Sequence, residues 1–273
     1  MRESKEAGIA LTASPSAVTT NFTRATRRAS FRSTSASCGQ HFLESATLPE
    51  QIKGFRLDRI IDIANNRGPI ALVKAPTVVL HIIPLEAFSD QTQFDITPLY
   101  ADQLPHWPWR ASSVNRRMTF DGVLLYGSLQ EDGTVSSYAH YCRNGILEAV
   151  NTSLLEWQVS GKRSIPHVSF EGQVLQCLPP CFQALEKINV HPPVSVALTL
   201  IGVRGLRIAT SPLIFDQGNE IREDNLILPG TIVESFSAPA EPILKPMFDR
   251  VWNACGLPGS RNFDAQGNWS PQR

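Results

Sequence analysis

The stretch Met118–Asn151 reads MTFDGVLLYGSLQEDGTVSSYAHYCRNGILEAVN and decides the class of fold. It holds three strand-like runs, Met118–Gly127, Val135–Cys142 and Ile146–Asn151, which are separated by QEDGT and RNG. Asp-Gly and Asn-Gly are strong hairpin signals, because these residues tolerate the positive φ angles that type I′ turns require. The sequence therefore predicts a three-stranded antiparallel meander.

Two apolar runs on either side of the meander predict further strands. Thr77–Ile83 reads TVVLHII and is followed by Pro84, and Val194–Val203 reads VSVALTLIGV. Short runs that are nearly all apolar and rich in β-branched residues are typical of strands buried on both faces. We expect both runs to lie inside the sheet.

The first predicted helix is Leu48–Asn65, which places apolar residues at helical spacing with charges between them. Thr47 is its predicted cap, Pro49 falls in its first turn, and Gly68 lies just past its end.

Two more helices are predicted toward the C-terminus. Phe170–Asn189 carries one apolar stripe, and Pro179 and Pro180 are expected to kink or split it, since each lacks a backbone donor and crowds the preceding turn. Ile243–Cys255 is the last helix, with Gly256 as its stop. The stripe consists of Val174, Leu178, Cys181, Phe182, Leu185 and Ile188.

Strands and helices do not alternate in a βα rhythm, which predicts an α+β class with a mostly antiparallel sheet packed by helices. We assign residues 43–273 to this single domain and residues 1–42 to a tail without regular structure. The tail has twelve Ser or Thr among the 27 positions Leu11–Ser37, and no Asp or Glu between Ala7 and Leu43. Three interpretations stay open: disorder, a targeting peptide, and a displaced reading frame over about Phe22–Phe42.

Charge and cysteine usage restrict the class of protein. Met1–His41 holds six basic and two acidic residues, which leaves 19 basic and 23 acidic residues in the rest. An acidic excess argues against strong nucleic-acid binding by the body alone, because phosphate contacts supply most of such affinity. Five scattered cysteines suit reduced thiols, and no apolar run is long enough for a membrane span, so a cytoplasmic protein is expected.

Three groups of residues were considered for chemistry. Cys177 and Cys181 lie one helical turn apart and are interpreted as small apolar residues of the buried stripe. His140 and Cys142 alternate onto one face of a strand, which suits a Cys–His nucleophile only if the thiolate is activated, and we interpret them as core or surface residues. His81 is interpreted as a satisfied core histidine. No catalytic residue, cofactor or metal site is predicted.

The loop LPHWPW and the arginines after it form the candidate nucleic-acid site. Trp107 and Trp109 could stack on bases, with Arg110, Arg116 and Arg117 nearby for phosphates. The alternative is a loop pinned to the body by its tryptophans. No phosphate-binding loop accompanies these residues, so ATP binding is not expected.

From about Leu43 to Trp269, segment order carries a family resemblance. LPEQIKGFRLDRI, VVLHIIPLEAF, FDGVLLY, YCRNGILEAV, PPVSVALTLIGVRG and FDRVWNACGLPGSRNFDAQGNW follow one another. This order resembles the C-terminal region of bacterial proteins with a Schlafen AlbA-type N-terminal domain, which are commonly described as DNA-binding or ATP-binding. The resemblance implies a truncated form whose AlbA-type domain, the part with the nucleic-acid or nucleotide function, lies upstream of these residues. No functional residue can be carried over.

The leading functional hypothesis is a non-catalytic accessory domain of such a regulatory protein, with an upstream AlbA-type domain as its partner and only weak nucleic-acid binding of its own. The alternatives are an unrecognised hydrolase or nuclease and a protein-interaction module. An enzyme requires titratable groups gathered in one cleft. An accessory domain is expected to show scattered titratable groups and an apolar face left bare by its partner.

Overall fold

The computed structural model describes residues 33–89, 91–101, 114–159, 162–208 and 218–271, with the backbone alone for residues 33–46, 159 and 162. The chain divides into two units, Met1–Glu44 and Ser45–Arg273. All strands and all side chains discussed below belong to the second unit. The predicted tail up to residue 32 lies outside the described residues.

The described residues form four helices and eleven strands. The helices are α1 (Ser33–Ala64), α2 (Thr97–Ala101), α3 (His167–Lys187) and α4 (Ala240–Ala254). The strands are β1 (Thr77–Pro84), β2 (Asn115–Met118), β3 (Gly122–Tyr126), β4 (Ser137–Cys142), β5 (Leu147–Asn151), β6 (Trp157–Val159), β7 (Lys162–Ile165), β8 (Val194–Ile201), β9 (Arg207–Ile208), β10 (Asn225–Ile227) and β11 (Thr231–Val233).

The main sheet is antiparallel throughout the described residues. Its order is β10-β8-β1-β5-β4-β3-β2, and β11 also pairs with β8. A second, three-stranded sheet has the order β6-β7-β9, in which β7 and β9 run parallel. The predicted α+β class, the meander β3-β4-β5 and the two central buried strands β1 and β8 are therefore confirmed.

Helices cover both faces of the main sheet. Alternate residues of β1 illustrate the arrangement: Val78 and Leu80 pack into the cluster that contains α3 and α4, whereas Val79 packs with Ile60 and Ile63 of α1. This alternation follows from the two-residue period of a strand. No helix among the described residues combines the length and apolar character that crossing a membrane requires.

The first helix is longer than predicted. It begins at Ser33 and passes through Thr47 and Pro49, so Thr47 is not a cap. No proline lies between Ser33 and Leu48, so every backbone N–H there can continue the helical ladder. The helix ends through Asn66, whose φ is 55°, rather than through Gly68; asparagine tolerates this left-handed conformation.

Of the two alternatives predicted for Pro179 and Pro180, a split of the helix does not occur, because α3 continues through both residues. Each proline removes one backbone hydrogen bond, a cost of about 3 kcal/mol in a helix interior. Burial of the predicted stripe, all of whose members are at most 2% exposed, offsets this cost. The last helix starts at Ala240, three residues earlier than predicted, and stops at Gly256 with a φ of 76° as predicted.

The run Met118–Gly127 is two strands, not one. β2 ends at Met118, the chain turns through Thr119–Asp121, and β3 begins at Gly122. The Thr119 N–H donates to the Gly122 carbonyl oxygen at 2.8 Å, which closes the turn, and Phe120 at its tip is fully exposed. Unlike Gly133 and Gly145 in the other two turns, whose φ angles are 78° and 83°, Gly122 is already the first residue of a strand.

Candidate functional site

A cleft of about 400 Å³ lies between α1 and the strands of the meander. The end of α1 and the residues after it contribute Phe55, Arg59, Arg67, Gly68 and Pro69. The sheet contributes Thr119, Asp121, His140, Cys142 and Glu148. Six of these ten side chains are titratable, so the cleft gathers ionisable groups in the way that the enzyme hypothesis requires.

Arg56 fixes α1 over the sheet. Its guanidinium is buried and donates from Nη2 to the carbonyl oxygens of Leu198 and Leu228 and to Thr199 Oγ1, at 2.9–3.2 Å. Burial lowers the pKa of Arg56. Arg59 lies about one helical turn after Arg56. Because Arg56 fixes the position of α1 on the sheet, the Arg59 side chain enters the cleft.

Glu148 lies at the floor of the cleft, where its carboxylate is in contact with three polar or charged side chains. Arg59 donates to its carboxylate from Nε and Nη2, both at 2.8 Å, Tyr138 donates its hydroxyl at 2.7 Å, and His81 Nε2 lies 3.0 Å away. Burial alone raises the pKa of Glu148, but the hydrogen bonds from Arg59 and His81 hold it well below its usual range. The hydrogen bond to Glu148 likewise raises the pKa of Arg59. The carboxylate is therefore charged although it is only 2% exposed.

The strand register explains how these groups meet. His81 on β1 pairs with Glu148 on β5, and Glu148 pairs with His140 on β4, so the three side chains lie in one row on the α1 face. His81 is fully buried, as predicted, with its ring edge against Phe55 at a centroid distance of 5.5 Å. Its Nδ1 has no hydrogen-bond partner among the described residues.

The other end of the row is an Asp–His–Cys arrangement. His140 Nδ1 lies 3.8 Å from Cys142 Sγ, and His140 Nε2 lies 3.4 Å from Asp121 Oδ1. Thr119 Oγ1 is 3.0 Å from the same Nε2 and donates to Asp121 Oδ1 at 3.0 Å. The imidazole is thus placed between a thiol and a carboxylate, one facing each ring nitrogen.

These contacts change the protonation of His140. Burial lowers its pKa, but the hydrogen bonds to Asp121 and Cys142 and the charges of both groups raise it to about 10. The hydrogen bond from His140 in turn holds the pKa of Asp121 well below its usual range. At neutral pH the ring is an imidazolium between two potential anions.

Gly122 permits this arrangement. A Cβ atom at this position would overlap the Tyr141 carbonyl oxygen and lie 3.0 Å from His140 Nε2. Glycine therefore lets β3 approach β4 closely enough for the turn to present Asp121 to the ring. The sequence pattern gives Asp121 no role, because Met118–Gly127 reads as one strand. Gly122 inside this run is the available signal, since glycine within a strand often marks a close approach of another backbone.

Asp121, His140 and Cys142 offer ligand types that transition metals accept, and the candidate ligand atoms lie within 4.8 Å of one another. A metal ion bonds along the lone pair of one imidazole nitrogen. Here Cys142 faces Nδ1 and Asp121 faces Nε2, so one ion would not reach all three without a turn of the ring. The geometry favours a hydrogen-bonded relay over a metal centre.

Of the five residues predicted to bind nucleic acid, the structure describes Arg116 and Arg117. Trp107, Trp109 and Arg110 lie outside the described residues. Arg116 and Arg117 lie on β2. Arg116 donates to the Tyr100 carbonyl oxygen at 2.9 Å and Arg117 to the Pro69 carbonyl oxygen at 2.6 Å.

Cys177 and Cys181 are buried on the apolar stripe of α3, with their sulfur atoms 4.0 Å apart, as the interpretation as core residues predicts.

Comparisons with protein-family models, with curated proteins and with solved structures found no match for this chain. The resemblance to AlbA-type proteins remains a prediction from the sequence.

Proposed function

We propose that this chain is an accessory domain of a regulatory protein similar to the AlbA-type proteins, in which an upstream domain handles nucleic acid or nucleotide. The observation that carries the proposal is the attachment of α1. Arg56 donates buried hydrogen bonds to β8 and to the segment after β10, and Arg59, about one helical turn later, donates to Glu148 of β5. These bonds hold the part of α1 that belongs to the second unit against the sheet, as expected of a domain with a supporting role.

The hydrogen bonds of three arginines support the proposal that this chain itself contributes little to nucleic-acid binding. Arg116, Arg117 and Arg143 all donate to backbone carbonyl oxygens, those of Tyr100, Pro69 and Phe120. Phosphate binding would have to compete with these bonds, and the acidic excess after residue 41 opposes it.

Fluorescence anisotropy with labelled single-stranded DNA tests this proposal on the full chain. At about 150 mM salt, where screening leaves contacts closer than about 8 Å effective, we expect weak, salt-sensitive binding and no measurable ATP binding. Any affinity should depend on Trp107 and Trp109, since stacking contributes about 1–3 kcal/mol per base. Sub-micromolar binding that survives Trp107→Ala/Trp109→Ala would contradict the proposal.

A second candidate is a thiol-dependent hydrolase, which is favoured by the gathering of Asp121, His140 and Cys142 in one cleft. Nucleophile, base and orienting carboxylate in hydrogen-bond sequence are the parts of a cysteine hydrolase. The two candidates differ in turnover of an activated ester such as p-nitrophenyl acetate. A hydrolase releases nitrophenol catalytically and loses this activity in Cys142→Ser, whereas an accessory domain releases at most one equivalent per cysteine that reacts.

A further inference from the structure

Cys142 differs from the other described cysteines in both its access and its partner. It is half-buried and lines the cleft, whereas Cys177, Cys181 and Cys255 are buried in the core. Burial raises the pKa of Cys255 to about 11, which makes that thiol unreactive at neutral pH. These buried cysteines therefore serve as internal references for the reactivity of Cys142.

The imidazole beside Cys142 is oriented to hold a proton toward the sulfur. Asp121 Oδ1 and Thr119 Oγ1 face Nε2 at 3.4 and 3.0 Å, which leaves Nδ1 to face Sγ at 3.8 Å. A carboxylate on one nitrogen favours the doubly protonated ring, and an imidazolium next to a thiol favours the thiolate. The raised pKa of His140 agrees with this geometry.

Other charged groups around the cleft form ion pairs or hydrogen bonds with partners other than Cys142. Arg59 from α1 is bonded to Glu148 of β5, and Arg67 is paired with Asp62 at 3.2 Å. Arg143, the next residue after Cys142, donates to a turn carbonyl. Among the described side chains at the cleft, His140 is therefore the cation that faces the sulfur.

We propose that Cys142 is a nucleophilic thiolate and a site of modification by small hydroperoxides. The sulfur attacks the terminal oxygen of the peroxide, an S–O bond forms, and the O–O bond breaks. Sulfur is oxidised by two electrons to the sulfenic acid, and the peroxide is reduced. For hydrogen peroxide the leaving hydroxide takes the His140 proton and departs as water, so the ring becomes neutral.

The first test is the pH dependence of Cys142 alkylation by iodoacetamide, followed by peptide mass spectrometry on the full chain in a Cys38→Ser background. We expect a rate that is nearly constant from pH 6 to 8, whereas an ordinary thiol with a pKa of about 8.5 slows about tenfold per pH unit below that value. In His140→Gln the rate at pH 6 should fall at least about tenfold, and hydrogen peroxide should no longer give a dimedone-trapped adduct at Cys142.

Matched variants separate this effect from damage to the fold. Asp121 is exposed in a turn, so Asp121→Asn should remain folded yet shift the profile toward that of an ordinary thiol. Asp132 makes the same kind of turn contact with Thr134 but lies away from the cleft, so Asp132→Asn should leave the profile unchanged. An ordinary profile in the unmodified chain, or one that neither His140→Gln nor Asp121→Asn changes, would overturn the proposal. Reactivity that appears only after chelation would overturn it in favour of a metal site.

Discussion

Two buried carboxylates, one on each side of the sheet, have pKa values that are shifted in opposite directions. Glu148 on the α1 side accepts from Arg59, His81 and Tyr138. Its pKa lies below the usual range, although burial acts to raise it.

Glu171 of α3, on the other side, is 1% exposed, and its donors among the described residues are all neutral. Trp252 Nε1 donates at 2.6 Å, Ser260 Oγ at 2.7 Å and Asn262 Nδ2 at 2.8 Å. Burial raises the pKa of Glu171, hydrogen bonds offset this only in part, and the charge of Asp249 adds to it. Equal burial thus leads to opposite shifts, because only the cleft supplies a cationic partner.

The largest expected effect is that of Glu148→Gln. Removal of one member of a buried ion pair leaves Arg59 with only Asp62, at 3.3 Å and partly exposed, as a counter-charge. We expect a loss of about 3–5 kcal/mol in the free energy of unfolding, measured in urea. Glu156→Gln is the matched control, because Glu156 pairs with Arg163 on the surface and should cost less than about 1 kcal/mol. Equal losses in the two variants would refute the central role of Glu148.

Glu171→Gln should cost less, about 1–3 kcal/mol, because the amide keeps one acceptor oxygen and places an N–H₂ group against one set of donors. The same urea experiment measures this value. A loss larger than that in Glu148→Gln would show that neutral donors stabilise a buried carboxylate as well as Arg59 does.

The pH dependence of the two variants sharpens the contrast. The folded-state pKa of Glu148 is lowered, so its stabilising contribution is present above about pH 4.5 and is lost as the pH falls below that value. The folded-state pKa of Glu171 is raised, so stability is highest below pH 4.5 and decreases as the pH rises through the folded value. Unfolding free energies between pH 3.5 and 7 should therefore differ from wild type with opposite slopes in Glu148→Gln and Glu171→Gln. Parallel slopes would contradict the assignment.

A smaller effect is expected on the alkaline side. The folded-state pKa of His140 lies above its ordinary value of 6.5, so the stability it contributes is complete below pH 6.5 and is lost as the pH rises through about 10. Wild type should lose stability over this interval relative to His140→Gln. Thermal melts from pH 6 to 10.5 measure the difference, and curves that stay parallel would count against a charged His140.

The sequence predicted the elements that local patterns encode. Apolar runs identified β1 and β8, and Asp-Gly and Asn-Gly pairs identified the meander, because turn geometry and burial act over a few residues. The short strands β2, β6, β7 and β9 to β11 and the helix α2 were not predicted. The strands β9, β10 and β11 pair with strands distant in sequence, as in the pairing of Ser164 with Arg207, so tertiary contacts rather than propensity define them. The strands β2 and β6 pair with the next strand along the chain but are only four and three residues long.

The sequence predicted only part of the candidate site. Strand alternation placed His140 and Cys142 on one face correctly, but their chemistry depends on Asp121, which comes from a turn hidden inside a run interpreted as a single strand. The charged state of Glu148 depends on Arg59, 89 residues away. Neither partner follows a spacing rule, because register and helix docking bring them together only in the folded chain.

The most direct test of the account is the protonation of His140 in the intact protein. Its ring ¹³C and ¹⁵N signals, assigned by their loss in His140→Gln, can be followed by NMR from pH 6 to 10.5. The Asp121–His140–Cys142 geometry predicts imidazolium signals that stay unchanged to above pH 8 and titrate near pH 10. A neutral ring at pH 7.5, with a midpoint at or below 6.5, would contradict the imidazolium in the Asp121–His140–Cys142 arrangement and, with it, the thiolate proposed at Cys142.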